Sequence, residues 1–129
     1  MSMELRTNIL EALEARIEGI LAECAVAGWS GEEDSKAVRR ESAEAAKRFV
    51  SMLEFTRVPL PEVIPEPDGD LALEWHRDAS HWVIASFRPD GSMNYASRSG
   101  EGRKATGTGA VTRPFARIID DYLALVFAE

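Results

Sequence analysis

Between Thr56 and Asp70 the chain places four prolines, Pro59, Pro61, Pro65 and Pro67. Each proline fixes φ and removes a backbone donor, so no helix can cross this stretch and an extended connector is predicted. The connector separates two regimes of hydrophobic period. Before it, apolar residues recur every three or four positions; after it, they alternate.

In the first regime, Leu5, Ile9, Leu13, Ile17, Ile20 and Cys24 mark an amphipathic helix from Glu4 to about Ala27, with Gly28-Trp29-Ser30-Gly31 expected to close it. A second helix is expected to start between Glu32 and Arg39 and to end at Phe55. It presents Val38, Ala45, Ala46, Phe49, Met52 and Leu53, and Ser30 with Glu33 offers a capping box. The two pair as an antiparallel hairpin over residues 1–55. The connector, 56–70, is expected to anchor Leu60, Val63 and Ile64 in the core and to end in the Pro67-Asp68-Gly69 turn.

In the second regime, Leu71, Leu73 and Trp75 alternate with Ala72, Glu74 and His76, and His81 to Phe87 follows after a short turn. The predicted register sets His76 against His81, Trp75 against Trp82 and Leu73 against Ile84, with both tryptophans on the core side. Pro89-Asp90-Gly91 leads into Met93 to Ser97, and a weaker strand is expected near Arg103 to Thr108, closing a sheet over residues 71–110. Thr112 caps a last helix over 112–128, with Pro114 in its first turn and Phe115, Ile118, Ile119, Tyr122, Leu123 and Val126 on its apolar face. The expected fold is a single α+β domain: two N-terminal helices, an antiparallel three- to four-stranded meander, and a C-terminal helix packed on one sheet face.

Composition narrows the function classes. The chain has 129 residues, enough for one core, and no run of eighteen apolar residues to span a membrane. Cys24 is the only cysteine, which removes an intramolecular disulfide and a cysteine zinc site, and the cytoplasm is the expected compartment. Net charge is −7, from 15 basic and 22 acidic residues. The charges fall in alternating blocks, and the two most basic, residues 35–57 and 75–113, each with six basic and three acidic side chains, reach only 6 − 3 = +3. Nucleic-acid binding is therefore not expected, because it needs a concentrated basic face.

Three constellations invite a functional reading. His76 and His81, the two histidines of the chain, would face each other and share an ion with Asp78 or Glu74, although two polar tips beside a turn are the simpler reading, and neither metal nor cofactor is expected. Glu74, set mid-strand opposite Val83 among apolar neighbours, is a candidate acid or base, with a salt bridge as the simpler alternative. Ser99 to Gly109 carries glycines, hydroxyls and Lys104, but lacks the Gly-Lys-Ser/Thr opening of a phosphate loop and reads as a mobile hairpin.

The Trp29-Ser30-Gly31 turn, the Pro59-x-Pro61 connector and the run Pro65-Glu-Pro-Asp-Gly-Asp-Leu-Ala-Leu-Glu-Trp75 resemble a pattern of small uncharacterised bacterial proteins: a W-x-G turn and a P-x-P-D-G-x-x-x-L-E-W motif. The resemblance covers residues 29 to about 96 and implies a bacterial or phage source and a fold. It implies no activity.

The leading expectation is a non-enzymatic protein-binding module, of the inhibitor, antitoxin-like or accessory-subunit kind, docking through Glu4, Glu11, Glu14 and Glu18 on the first helix. Homodimerisation is expected as well, since the first and last helices carry more apolar residues than one sheet face covers. The alternative is a small-molecule or metal-dependent enzyme using Glu74, His76 and His81. Mimicry of nucleic acid is a third reading, requiring the first-helix carboxylates and Glu32-Glu33-Asp34 on one surface.

Overall fold

A computed structural model describes residues 2–32, 34–54 and 58–128. The chain is α+β: α1 (Met3–Glu23), α2 (Arg40–Val50), β1 (Glu62–Pro65), β2 (Leu71–Asp78), β3 (His81–Phe87), β4 (Ser92–Ser99), β5 (Lys104–Ala110) and α3 (Arg113–Val126). The sheet is an antiparallel meander in the order β1-β2-β3-β4-β5. The helices pack against one of its faces.

The fifth strand is β1, and it lies inside the proline-rich segment expected to be only a connector. An edge strand pairs on one side, so Pro61 and Pro65 can flank or end it without breaking a ladder. Val63 is buried and pairs with Leu73, as an anchoring residue should be.

α1 starts where Ser2 accepts a hydrogen bond from the Leu5 N–H at 3.1 Å. It ends at Glu23, earlier than expected. Gly28 is left-handed, with φ 84°, but it shapes the following loop and does not close the helix. The reason is the return of the chain: Val38 N–H bonds to the Cys24 carbonyl and Gly28 N–H to the Ser35 carbonyl, replacing a further helical turn. α2 begins only at Arg40, beyond the expected Ser30 capping box, whose Glu33 lies outside the described residues, and its ordered helix stops at Val50. The expected end at Phe55 and the start of the connector at Thr56 also fall outside the described residues.

The two helices run antiparallel. Glu18 meets Arg40 and Lys47, while Arg6 donates to the Ser51 and Leu53 carbonyls at 2.7 and 2.9 Å, satisfying acceptors at the end of α2. The lysine and arginine beside Glu18, Lys47 foremost, hold its carboxyl below the usual range.

The core sits between helices and sheet, built from Leu13, Ile17, Phe49, Leu53, Leu71, Leu73, Trp75, Val83, Phe87 and Ile119. Phe49 and Phe87 pack with ring centroids 5.3 Å apart. β5 is the weaker strand expected near Arg103 to Thr108, and it pairs with β4 along its length, from Ser92↔Ala110 to Arg98↔Lys104, so the glycine-rich segment also read as a mobile hairpin belongs to the sheet. Its glycines are packing surfaces. A Cβ at Gly107 would lie 2.5 Å from the Tyr95 ring, and one at Gly109 would lie 2.5 Å from the Phe115 ring. Tyr95 in turn stacks near Phe115 and Tyr122, at 5.6 and 5.5 Å. α3 has Thr112 as its N-cap residue, as expected, but the hydroxyl makes no capping bond. Of its predicted apolar face, Ile119, Leu123 and Val126 are buried, whereas Ile118 remains exposed.

The β2–β3 register differs from expectation by one residue. Trp75 pairs with Val83, His76 with Trp82, Glu74 with Ile84 and Leu73 with Ala85. The cause is local. Ala79 and Ser80 form the loop between the strands, and an irregularity between His76 and Asp78 leaves Arg77 as an extra residue, a β-bulge. The Asp78 carboxylate accepts from the Ser80 N–H at 2.8 Å and stabilises this turn. Arg77 donates to the Val126 and Ala128 carbonyls at 3.1 and 2.7 Å, so the bulged residue caps the end of α3. A one-residue shift exchanges the two faces of a strand. Trp75 is therefore fully buried among the helices, while Trp82 and Ile84 are on the opposite face and the Trp75–Trp82 pair does not form.

Candidate functional site: the open face of the sheet

Alternation gives the five strands a second face that no helix covers. The register arranges it in rows across the sheet: Glu62, Glu74, Ile84, Ala96 and Thr106 in one, and His76, Trp82, Arg98 and Lys104 in the next. Ile64, Ala72, Ser86, Asn94 and Thr108 form a third. Trp82 and Ile84 are part-exposed and stand outside the hydrophobic core cluster. Ala72 is fully buried even here, so the open part is centred on the first two rows.

Two shallow hollows mark this face. One, of about 360 Å³, is bounded by Ile84, Asn94, Ala96, Thr106 and Thr108 among others. The other, of about 320 Å³, is bounded by Glu74, His76, Ala79, Trp82 and Ile84. Ile84 contributes to both and divides them. A third hollow, of about 400 Å³, lies at the β1 edge of the sheet, between α1 and β1, beside Arg16, Gly19 and Glu62.

The candidate residues are thus separated. Glu74 and His76 share the open face, two residues apart on one strand. His81 is not with them. Its register partner is Asp78, whose carboxylate lies 2.8 Å from the His81 Nδ1 and is held below the usual carboxylate range, by that contact first and by the Ser80 N–H second. The expected His76–His81 opposition therefore does not occur, and Glu74 faces Ile84 instead of Val83. Among the described residues no group of three or more His, Cys, Asp or Glu side chains is placed to hold a metal ion. On α1, Glu4, Glu11 and Glu14 are exposed, but Glu18 is engaged by Arg40 and Lys47 and belongs to the α1–α2 contact.

Trp82, Ile84 and Arg98 were not singled out from the sequence as a site, and Lys104 entered only with the glycine-rich segment read as a mobile hairpin. The available signal was β3 itself, where Trp82, Val83, Ile84, Ala85 and Phe87 are apolar on both parities, as in a strand that contacts something on each face.

Glu66 sits at the margin of this face. Its carboxyl is pushed up, by burial first, with Asp68 and Asp70 adding to it and the Ser86 hydroxyl opposing, and its Oε1 is buried without a hydrogen-bond partner among the described residues. A raised carboxyl pKa in the folded state opposes folding where the group is ionised, and that opposition disappears as pH falls through the folded value. Glu66→Gln should therefore raise the melting temperature by a few degrees at pH 7 and lose this advantage near pH 4, at about the unfolded glutamate pKa. Thermal melts across that range check it.

Comparison with known proteins found no matching protein family, curated protein or solved structure. Among the described residues no helix is long and apolar enough to cross a membrane.

Proposed function

We propose that the protein is a binding module for another protein, and that its contact surface is the open sheet face, not the acidic side of α1. The observation that supports this is the position of Trp82 and Ile84: two large apolar side chains at the middle strand of an uncovered sheet, outside the core and flanked by charged residues. A tryptophan centred in an apolar patch with a polar rim is the composition of a protein-contact hot spot. The acidic helix is a weaker candidate, since Glu18 is used internally. The buried single thiol of Cys24 accords with a reducing compartment such as the cytoplasm.

The test is affinity capture with three baits: the unaltered chain, a Trp82→Ser/Ile84→Ser variant, and a Glu4→Lys/Glu11→Lys/Glu14→Lys variant. The expected result is a partner retained by the helix variant and lost by the sheet variant. The reverse pattern would assign the contact to α1 and overturn the proposal.

A further inference from the structure

We infer that the open sheet face binds a second copy of the same chain, forming a two-fold dimer with β3 over β3; this inference rests on the protein-binding reading above.

The argument is the distribution of charge about β3. On one side, Glu62 of β1 and Glu74 of β2 are register neighbours. On the other, Arg98 of β4 and Lys104 of β5 are register neighbours. Between them the middle strand contributes Trp82 and Ile84. Among the described residues none of these four charged groups forms an ion pair within the chain.

A two-fold interface uses one patch twice, so it must be complementary to itself. When two sheets pack by the same face about an axis running along β3, the β1–β2 side of each copy comes to lie over the β4–β5 side of the other. The acidic pair then meets the basic pair, twice, while Trp82 and Ile84 meet their own counterparts on the axis. The carboxylates and cations occupy adjacent rows, separated by about 7 Å along the strands, an offset that long side chains and the usual rotation of about 30° between stacked sheets can bridge. A copy has the same net charge of −7, which repels it at long range. The local pairing offsets that repulsion and selects this orientation over others.

Five strands at about 4.8 Å spacing and three rows at about 7 Å bound the face at roughly 20 by 20 Å, about 400 Å² per copy and about 800 Å² for the pair. That is the size of a weak, transient interface, smaller than a standard stable one, and the expected dissociation constant is micromolar or weaker.

Sedimentation equilibrium on the purified full chain, from about 1 μM to 1 mM, tests the inference with Glu74→Arg and Arg98→Glu. Each variant alone faces like charge across the interface, and dimerisation should weaken about tenfold or more. An equimolar mixture of the two restores opposite charge at both contacts, Arg to Glu, and should recover association close to that of the unaltered protein. Recovery in the mixture separates lost pairing from lost folding. A monomer at the highest concentration, or dimerisation equal in all samples, would overturn the inference. Loss of dimerisation only through Leu125→Lys, at an exposed apolar residue of α3, would do so too, because it would place the interface on that helix. Failure here, together with Trp82-dependent capture of a different protein, would leave the binding-module reading standing; failure of both would remove it.

Discussion

Trp75→Ala is expected to destabilise the fold by about 3–5 kcal/mol, while Trp82→Ala costs no more than about 1 kcal/mol. Trp75 is fully buried, between the sheet and the helices, and truncation leaves a cavity that the rigid strand pairs on either side cannot close. Trp82 has no such enclosure. For a domain whose whole stability is of order 5–15 kcal/mol, the first change endangers folding and the second does not. Chemical denaturation of both variants checks the difference. Among the described residues the buried Trp75 Nε1 has no hydrogen-bond acceptor, so Trp75→Phe removes an unpaired donor along with some packing, and its cost should be well below that of alanine. Equal losses at Trp75 and Trp82 would mean that the strands pair in the register that puts both indoles in the core.

Gly69→Ala is the second large effect, expected at about 2–4 kcal/mol. Gly69 has φ 93°, and a Cβ there would lie 2.9 Å from the Ala37 carbonyl oxygen. This residue belongs to a clasp. The Lys36 N–H bonds to the Pro67 carbonyl at 2.7 Å and the Arg39 N–H to the Gly69 carbonyl at 3.1 Å, while the Trp29 indole donates to the Lys36 carbonyl at 2.6 Å. Residues 35–39 are thus held between Trp29 and the Pro-Asp-Gly turn, which joins the α1–α2 loop to the start of β2. Gly31→Ala is the control, because Gly31 has φ 90° and no described residue within 4 Å of where its Cβ would lie. It should show backbone strain alone, about 1–2 kcal/mol. Thermal melts of the two variants separate strain from collision.

Much of the fold was legible because its signals are physical and local. The change from a three-to-four period to a period of two at Asp70 separates helices from sheet, and Pro89-Asp90-Gly91 and Thr112-x-Pro114 mark a turn and a helix start. The missed elements were decided by tertiary context. β1 was hidden because Pro61 and Pro65 read as strand breakers, whereas an edge position tolerates them. The end of α1 depends on two hydrogen bonds with the returning chain, Gly28 N–H to the Ser35 carbonyl and Val38 N–H to the Cys24 carbonyl, which no local stop signal announces.

The candidate site was the least legible part, for one reason. Its composition depends on which face β3 presents, and β3 is apolar on both. The deciding residue is Arg77, which bulges to reach the carbonyls at the end of α3, and nothing within β2 alone announces that contact. With the bulge, Trp82 moves to the open face and His81 leaves His76.

Hydroxyl-radical footprinting of the chain, free and then bound to the protein it captures or to its own copy at high concentration, measures the proposed surface directly. Protection at Trp82 and Ile84, with Met3 and Leu5 on α1 as reactive as before, is the predicted result. Protection confined to α1, with Trp82 unchanged, would contradict it and return the contact to the acidic helix.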